Sequence, residues 1–402
     1  MLRFLTAGES HGKALVTIIE GVPAGLTIDI DAITVDLRRR QTGYGRGRRM
    51  AIESDRAEPL SGIRHGLSTG APIALLIPNK DWENWQRTMY VEAAMPAEAS
   101  GADRLPVTRP RPGHADLAGF VKYGHDDMRN VLERASARET AARVAVGAIA
   151  RQLLLAVGTE VVSHVVSIGA AALGDRLTIT FESVRALAAD SPLHCADPEV
   201  EQQMIAEIDR AREAGDTMGG SFEVIAHDVP PGLGSYVQWD RKLDGRLAQA
   251  LMSIPAIKAV GIGRGPDVAT LPGSRIHDEI LPRAGARPAS GIDVTRPTNN
   301  AGGLEGGVTN GEDLRVIAYM KPISTLMKPL RSVDLATMIE SPAAIERSDV
   351  CAVPAAAVVG EAMVALVLAD AVVEKFGADS IDELVTNWKA FRARTAARFA
   401  PR

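Results

Sequence analysis

The sequence predicts an α+β fold, and three observations carry that prediction. Hydrophobic residues make up 46% and charged residues 24% of 402 positions, enough for a sizeable core and incompatible with disorder or a fibrous repeat. Several stretches repeat apolar residues with helical period, while shorter runs are β-branched. The two kinds of element mix without the strict alternation of a parallel doubly wound sheet.

Taken in order, residues 14–20 (Ala-Leu-Val-Thr-Ile-Ile-Glu) read as a strand closed by the Gly21–Gly25 turn. Ile33 and Leu37 indicate a short helix whose negative C-terminal end suits Arg38, Arg39 and Arg40. Gly43 to Gly47 must be loop. An Ala-rich helix over 139–157 keeps Val146, Ile149, Leu153 and Val157 in step and stops at Gly158. Asp197-Pro198-Glu199 is an N-cap, N1 and first-turn signature for a helix ending at Gly215. Further helices are expected over 241–252 and 354–376, the latter stopped by Gly377, and a polar one after Asp379-Ser380.

At roughly 150 residues per domain the length permits two or three domains. No low-complexity tract or Ser/Gly linker divides the chain, which is read as a single domain over 1–402. Arg134-Ala135-Ser136 and Arg347-Ser348-Asp349 each precede an Ala/Val-rich helix, an echo that internal duplication or chance would produce.

A net charge of −5 argues against a general nucleic-acid binder, and 4% aromatics leaves few stacking platforms. Cys195 and Cys351 cannot make a disulfide framework or a zinc site by themselves, and no metal is expected. The first ten residues lack the apolar stretch of a secretory signal. The apolar segment from Val350 to Ala369 contains Pro354 and Glu361, which suits a buried helix rather than a membrane span. A cytoplasmic protein without membrane partners is the expectation.

Arginines outnumber lysines 36 to nine. Codon bias explains a general excess; recognition of multiply anionic ligands by planar guanidinium forks would explain a local one. Residues 38–49 hold six arginines on a Gly-rich loop, where Gly43, Gly45 and Gly47 let the chain wrap a small anion. Only Tyr44 interleaves, so a phosphorylated metabolite fits better than nucleic acid. His11 in Gly8-Glu9-Ser10-His11-Gly12 and His114 in Arg111-Pro112-Gly113-His114-Ala115-Asp116 are candidate proton donors. The other six histidines are read as structural. Five glycines between Asn299 and Gly311 suit a hairpin or loop approached closely by a ligand. Lys321-Pro322-Ile323-Ser324-Thr325 is a phosphate clamp or a turn, and Asp349 is a general base or half of an ion pair. Gly261-Ile262-Gly263-Arg264-Gly265-Pro266 is read as a tight turn, not a dinucleotide loop, with no helix after it.

Together these segments closely resemble the chorismate synthase family, from Gly8–Gly12 through Arg46-Gly47, Arg111–Asp116, Glu133–Glu139, Gly302–Gly311 and Lys321–Thr325 to Arg347–Pro354. One departure is Ile262, where relatives commonly carry an acidic residue before the second glycine. The resemblance implies a β-α-β sandwich, helices between antiparallel sheets, assembled as a homotetramer. It implies a lyase that makes chorismate from 5-enolpyruvylshikimate 3-phosphate by 1,4-elimination of phosphate. Such enzymes serve aromatic amino acid biosynthesis and need reduced FMN without net redox change.

By resemblance His11 would protonate the departing phosphate, His114 would act near the flavin carbonyl region and Asp349 would manage the N5 proton. Ser10, Arg40, Arg46, Arg49, Arg111 and Arg138 would bind substrate anions, Arg40 and Arg46 being also described in the family as NADP contacts. Arg134, Ala135, Ser136, Pro255, Ala256, Gly306, Lys321, Pro322, Ile323, Ser324, Thr325 and Arg347 match FMN-binding positions. The resemblance leaves two sources of electrons, NADPH used by the chain itself or an external flavin reductase. Two other classes compete: an oxidoreductase with net redox chemistry, and a noncatalytic anion- or RNA-binding module using the Arg38–Arg49 loop.

Overall fold

The computed structural model describes residues 1–47, 54–93, 100–283, 291–346 and 349–399. In chain order, β1 (Arg3–Ala7) and β2 (Ala14–Glu20) lead into helix α1 (Ile30–Gln41), then β3 (Glu58–Pro59) and β4 (Ile73–Pro78). Helices α2 (Asp116–Tyr123), α3 (Arg129–Arg134) and α4 (Thr140–Leu155) follow, with β5 (Glu160–Ile168) and β6 (Ala171–Ala172). Next come α5 (Pro198–Ala214), β7 (Gly220–His227), α6 (Leu243–Met252), β8 (Ile257–Ile262) and β9 (Leu314–Met320). The chain closes with α7 (Val353–Phe376) and α8 (Ile381–Arg398).

Local chemistry explains the element ends. Asp29 caps α1 by accepting from the backbone of Asp31 and Ala32, and Asp197 caps α5 through Glu199 and Val200. Gly215, at φ 70°, ends α5 in the left-handed region. Ser380 caps α8 by accepting from Glu383. The expected Ala-rich helix begins one residue later than predicted, because Ala137–Glu139 forms a 3-10 turn with Ser136 as its cap.

Two larger antiparallel sheets form among the described residues, in the orders β1-β2-β4-β3 and β8-β9-β7-β5-β6, beside four two-stranded ones. Register in the first sets Leu15 opposite Ile77, both fully buried, and in the second Phe222 opposite Ala318. Helix α4 packs on β1, β2 and β4, helix α7 packs on β5 and β7, and the two helices pack on each other. In the first sheet β2 and β4 alternate and bury one face, whereas β7 and most of β9 are buried on both faces, and α7 buries 20 of its 24 residues on every side. Helix α7 is long and apolar enough to cross a membrane by composition, yet its residues are core.

Close helix packing depends on glycine. A Cβ on Gly147 of α4 would lie 2.3 Å from the Cβ of Ala362 in α7, and one on Gly360 would lie 2.4 Å from the Phe222 ring. Across the same interface Arg39 donates to both oxygens of buried Glu361 at 2.8 and 2.7 Å, and Ser163 Oγ donates to it at 2.6 Å. Arg39 therefore ties α1 to α7 as well as answering its own helix dipole.

The Gly261–Pro266 segment departs from the tight turn expected of it. Gly261 and Ile262 complete β8, and a 3-10 helix runs over Gly265–Thr270 with a short helical turn at Gly273–Ile276. Pro266 stands in the first turn of that helix, where its missing N–H costs nothing. The glycines near 300 form the expected hairpin, Leu304–Glu305 against Val308–Thr309.

Candidate active site

The loops at the N-terminal ends of α4 and α7 meet the first sheet's β1–β2 turn around a cavity of about 860 Å³. Thr140 of α4 and Ala352, Ala355 and Ala356 at the start of α7 line it, so two helix N-termini bring their positive ends to the same space. The β1–β2 turn delivers Ser10 and His11. Gly8 makes that turn at φ 105°, and a Cβ there would lie 2.4 Å from the Ala14 carbonyl oxygen. The end of α1 delivers Arg40, and the Gly43–Gly47 loop delivers Arg46, anchored where Val350 N donates to Gly45 O at 2.8 Å.

Three arginines converge from three segments. Arg40 and Arg138, both buried, share the single buried carboxylate of Asp55, with contacts of 3.3 and 2.6 Å. Arg138 Nε also donates to Asn79 Oδ1 at 2.9 Å. Arg40 Nε is buried without a hydrogen-bond partner among the described residues. Burial is the main cause that pushes the Arg40 pKa down to about 10, with repulsion from Arg138 and Arg46 adding to it and Asp55 opposing it. The group remains a cation at neutral pH, so this wall carries more positive charge than its carboxylate neutralises. Arg46 Nη1 donates to Asp349 Oδ2 at 2.5 Å, and Gly47 N donates to Oδ1 at 2.7 Å. Asp349 is thus an ion-pair member that also faces the cavity.

Each candidate histidine has a buried carboxylate behind it. His11 Nδ1 lies 3.0 Å from both oxygens of Glu133, and the ring stacks on Trp85 with centroids 3.9 Å apart. His114 Nδ1 lies 2.5 Å from Asp116 Oδ1. Arg111 donates to the same carboxylate from its backbone N, Nε and Nη2 at 3.0, 2.8 and 3.1 Å. Burial alone would raise the Asp116 pKa; the bonds from His114 and Arg111 outweigh it and hold the carboxylate well below its usual range. Ser136 Oγ donates to Ser10 Oγ at 3.2 Å. Lys321 follows β9, donates its backbone N–H to Ala256 O at 3.0 Å, and directs its ammonium to Gly113 O. Ala256 itself sits at φ 67°, a left-handed conformation rare for a residue with a side chain.

The cavity gathers Ser10, His11, Arg40, Arg46, Arg111, His114, Ala135, Ser136, Arg138, Pro255, Ala256, Lys321 to Thr325 and Asp349. Two expected FMN positions are not brought there. Arg134 is exposed and turns to β1, donating to the carbonyls of Gly8 and Thr6 and to Thr6 Oγ1, because helix α3 points it away from the lumen. Gly306 occupies the exposed tip of its hairpin, beside Tyr236, and does not line the cavity. Arg49 and Arg347 lie outside the described residues. Among the histidines read as structural, His164 is buried against Glu223 at 3.2 Å and His227 pairs with Asp313 at 2.7 Å.

Sequence reasoning missed Asp55 and Asn79, which stand far from Arg138 in the chain and carry no motif of their own. Glu133 and Asp116 lay inside the motifs, and a carboxylate two residues after His114 was a legible signal. Trp85 carried none.

The sequence profile of a family described as chorismate synthase matches residues 2–373. A chorismate synthase of Desulforudis audaxviator is 55% identical over 401 residues, covering 100% of both chains. One of Moorella thermoacetica is 57% identical over 392 residues, covering 98% of each. A crystal structure of a chorismate synthase superposes with a TM-score of 0.78 at 42% identity, covering 98% of each chain. Profile, relatives and structure agree with one another, and the chain belongs to the chorismate synthase family, carbon–oxygen lyases of aromatic amino acid biosynthesis.

Proposed function

We propose that this cavity binds 5-enolpyruvylshikimate 3-phosphate beside reduced FMN and eliminates phosphate to give chorismate with no net redox change. The observation that carries the reading is the buried Arg40–Arg138 pair sharing one carboxylate, with Arg40 Nε unmatched. Such a wall is costly unless an anion completes it. The same cavity has apolar lining from Leu132, Ile254, Met327, Val350 and Val359, suited to a flat ring system.

Arg40, Arg46, Arg111 and Arg138 bind the phosphate and carboxylates of the substrate, with Ser10 as a hydroxyl partner. His11 gives a proton to the departing phosphate oxygen, an acid role suited to imidazole near neutral pH. Ala135, Ser136, Pro255, Ala256 and the Lys321–Thr325 turn hold FMN, and His114 serves its carbonyl side. When bound, reduced flavin would supply the electron density for this elimination, chemistry that no side-chain base provides. Asp349, oriented by Arg46 and Gly47, holds or moves the proton at N5.

The whole chain works as one domain whose sheet–helix–helix–sheet order is the family's β-α-β sandwich, assembled as a cytoplasmic homotetramer. Electrons reach FMN from NADPH or from an external flavin reductase. The deciding experiment is anaerobic incubation with substrate and FMN, with and without dithionite, following chorismate absorbance. Chorismate should form only with dithionite, many turnovers per flavin. One flavin oxidised per chorismate would instead mean an oxidoreductase, and turnover without flavin would remove the cofactor from the reaction.

A further inference from the structure

Glu133 contributes no atom to the cavity lining, yet it makes three contacts to His11. Both carboxylate oxygens lie 3.0 Å from His11 Nδ1, and Oε2 also accepts from the His11 backbone N at 2.9 Å. The backbone carbonyl of Glu133 accepts from Ser10 N at 3.0 Å, so helix α3 grips the loop at two consecutive residues. Behind the carboxylate, Arg129 Nη1 reaches Oε1 at 3.4 Å, and its guanidinium stands 5.4 Å from the centre of the Trp85 ring that stacks on His11. Burial opposes charge on Glu133, but the bonds from His11 and the charge of Arg129 prevail and keep it ionised.

An ionised carboxylate only accepts hydrogen bonds, so His11 Nδ1 must carry the hydrogen. The proton that His11 exchanges is then the one on Nε2. Trp85 limits tilting of the ring, and Glu133 limits its rotation.

We propose that Glu133 is the positioning residue for His11, fixing its Nδ1–H tautomer and ring orientation. This rests on the reading of His11 as proton donor. Among the described residues, Glu133 is the carboxylate whose oxygens both reach the ring nitrogen, at 3.0 Å.

The test uses the full-length protein with FMN and dithionite. Glu133→Gln should lower kcat about 10- to 100-fold, as loss of an outer partner typically does, with KM and FMN affinity close to the starting protein. Glu133→Asp, which keeps an ionised acceptor, should retain more turnover than Glu133→Gln and serves if the glutamine variant does not fold. The double variant His11→Ala/Glu133→Gln should be no slower than His11→Ala alone, since Glu133 acts through the ring. A double variant slower by the product of the two single losses would overturn the proposal. Ring-nitrogen NMR gives a readout apart from activity: the Nδ1–H tautomer should dominate in neutral His11 and weaken in Glu133→Gln. An Nε2–H tautomer in the unaltered protein would also overturn it. Full activity in His11→Ala would defeat the proton-donor reading itself, while the NMR result would still decide whether Glu133 orients the ring.

Discussion

Arg46 and Asp349 show how one contact couples binding to chemistry. Their 2.5 Å ion pair means that altering either side chain removes one of the other's partners. Arg46→Lys keeps the charge but loses the planar fork. Substrate affinity should fall by about 1–3 kcal/mol, the range for a charge-assisted hydrogen bond. Affinity for oxidised FMN should change little. Turnover should fall as well, because a lysine ammonium is a poor substitute for the group that orients Asp349. Asp349→Asn should slow the reaction about 10²–10⁴-fold, as loss of a positioned acid or base does, with FMN affinity nearly unchanged. Titration calorimetry with oxidised FMN present separates the two effects. If Arg46→Lys binds substrate as tightly as the unaltered protein does, Arg46 serves its ion pair and not an anion site.

At the scale of elements, the α4–α7 contact limits what the helices tolerate. Alanine favours a helix over glycine by about 1 kcal/mol, so propensity alone predicts that Gly147→Ala stabilises. The structure reverses the sign. The new methyl would meet the Ala362 Cβ at 2.3 Å and its Cα at 2.6 Å, backbone and Cβ atoms that cannot swing away. Overpacking of this kind costs about 1–3 kcal/mol and would push α7 off α4, displacing the cavity wall that both N-termini build. Gly245 in α6 is exposed and has no atom near its Cβ position, so Gly245→Ala should stabilise by up to about 1 kcal/mol. Urea denaturation of the two variants should move in opposite directions; a stabilised Gly147→Ala would show that the helices can separate at little cost.

Across the whole molecule, the charges buried between α1, α4 and α7 govern acid stability. Burial opposes ionisation of Glu361, and Arg39, Arg151 and Ser163 together hold its pKa down at about 2 against an ordinary 4.5. A carboxylate with a depressed folded-state pKa contributes stability that is complete above about pH 4.5 and is lost as pH falls toward 2. The difference corresponds to on the order of 3 kcal/mol. Glu361→Gln should therefore lower stability at neutral pH, leaving two arginines short of a partner, and flatten the stability profile between those two pH values. An unchanged slope in urea titrations across that window would assign the acid sensitivity to Asp116 or Glu133 instead.

The sequence by itself determined the α+β class, several helix ends, and most of the cavity's members. Caps such as Asp197 and Ser380 act on backbone within four residues, and α7 is apolar all round, so both are visible in one dimension. The motifs around His11, His114, Ser136 and Lys321 were legible because each packs several cavity residues into a short segment. Only the tertiary structure decided which arginines converge, that Asp55 pairs with two of them, and that Glu133 stands behind His11. It also turned Arg134 toward β1 and left Gly306 on a hairpin tip. Those outcomes depend on the angle at which a helix such as α3 seats against distant strands. Packing between elements far apart in the chain sets that angle, and no local run of residues encodes it.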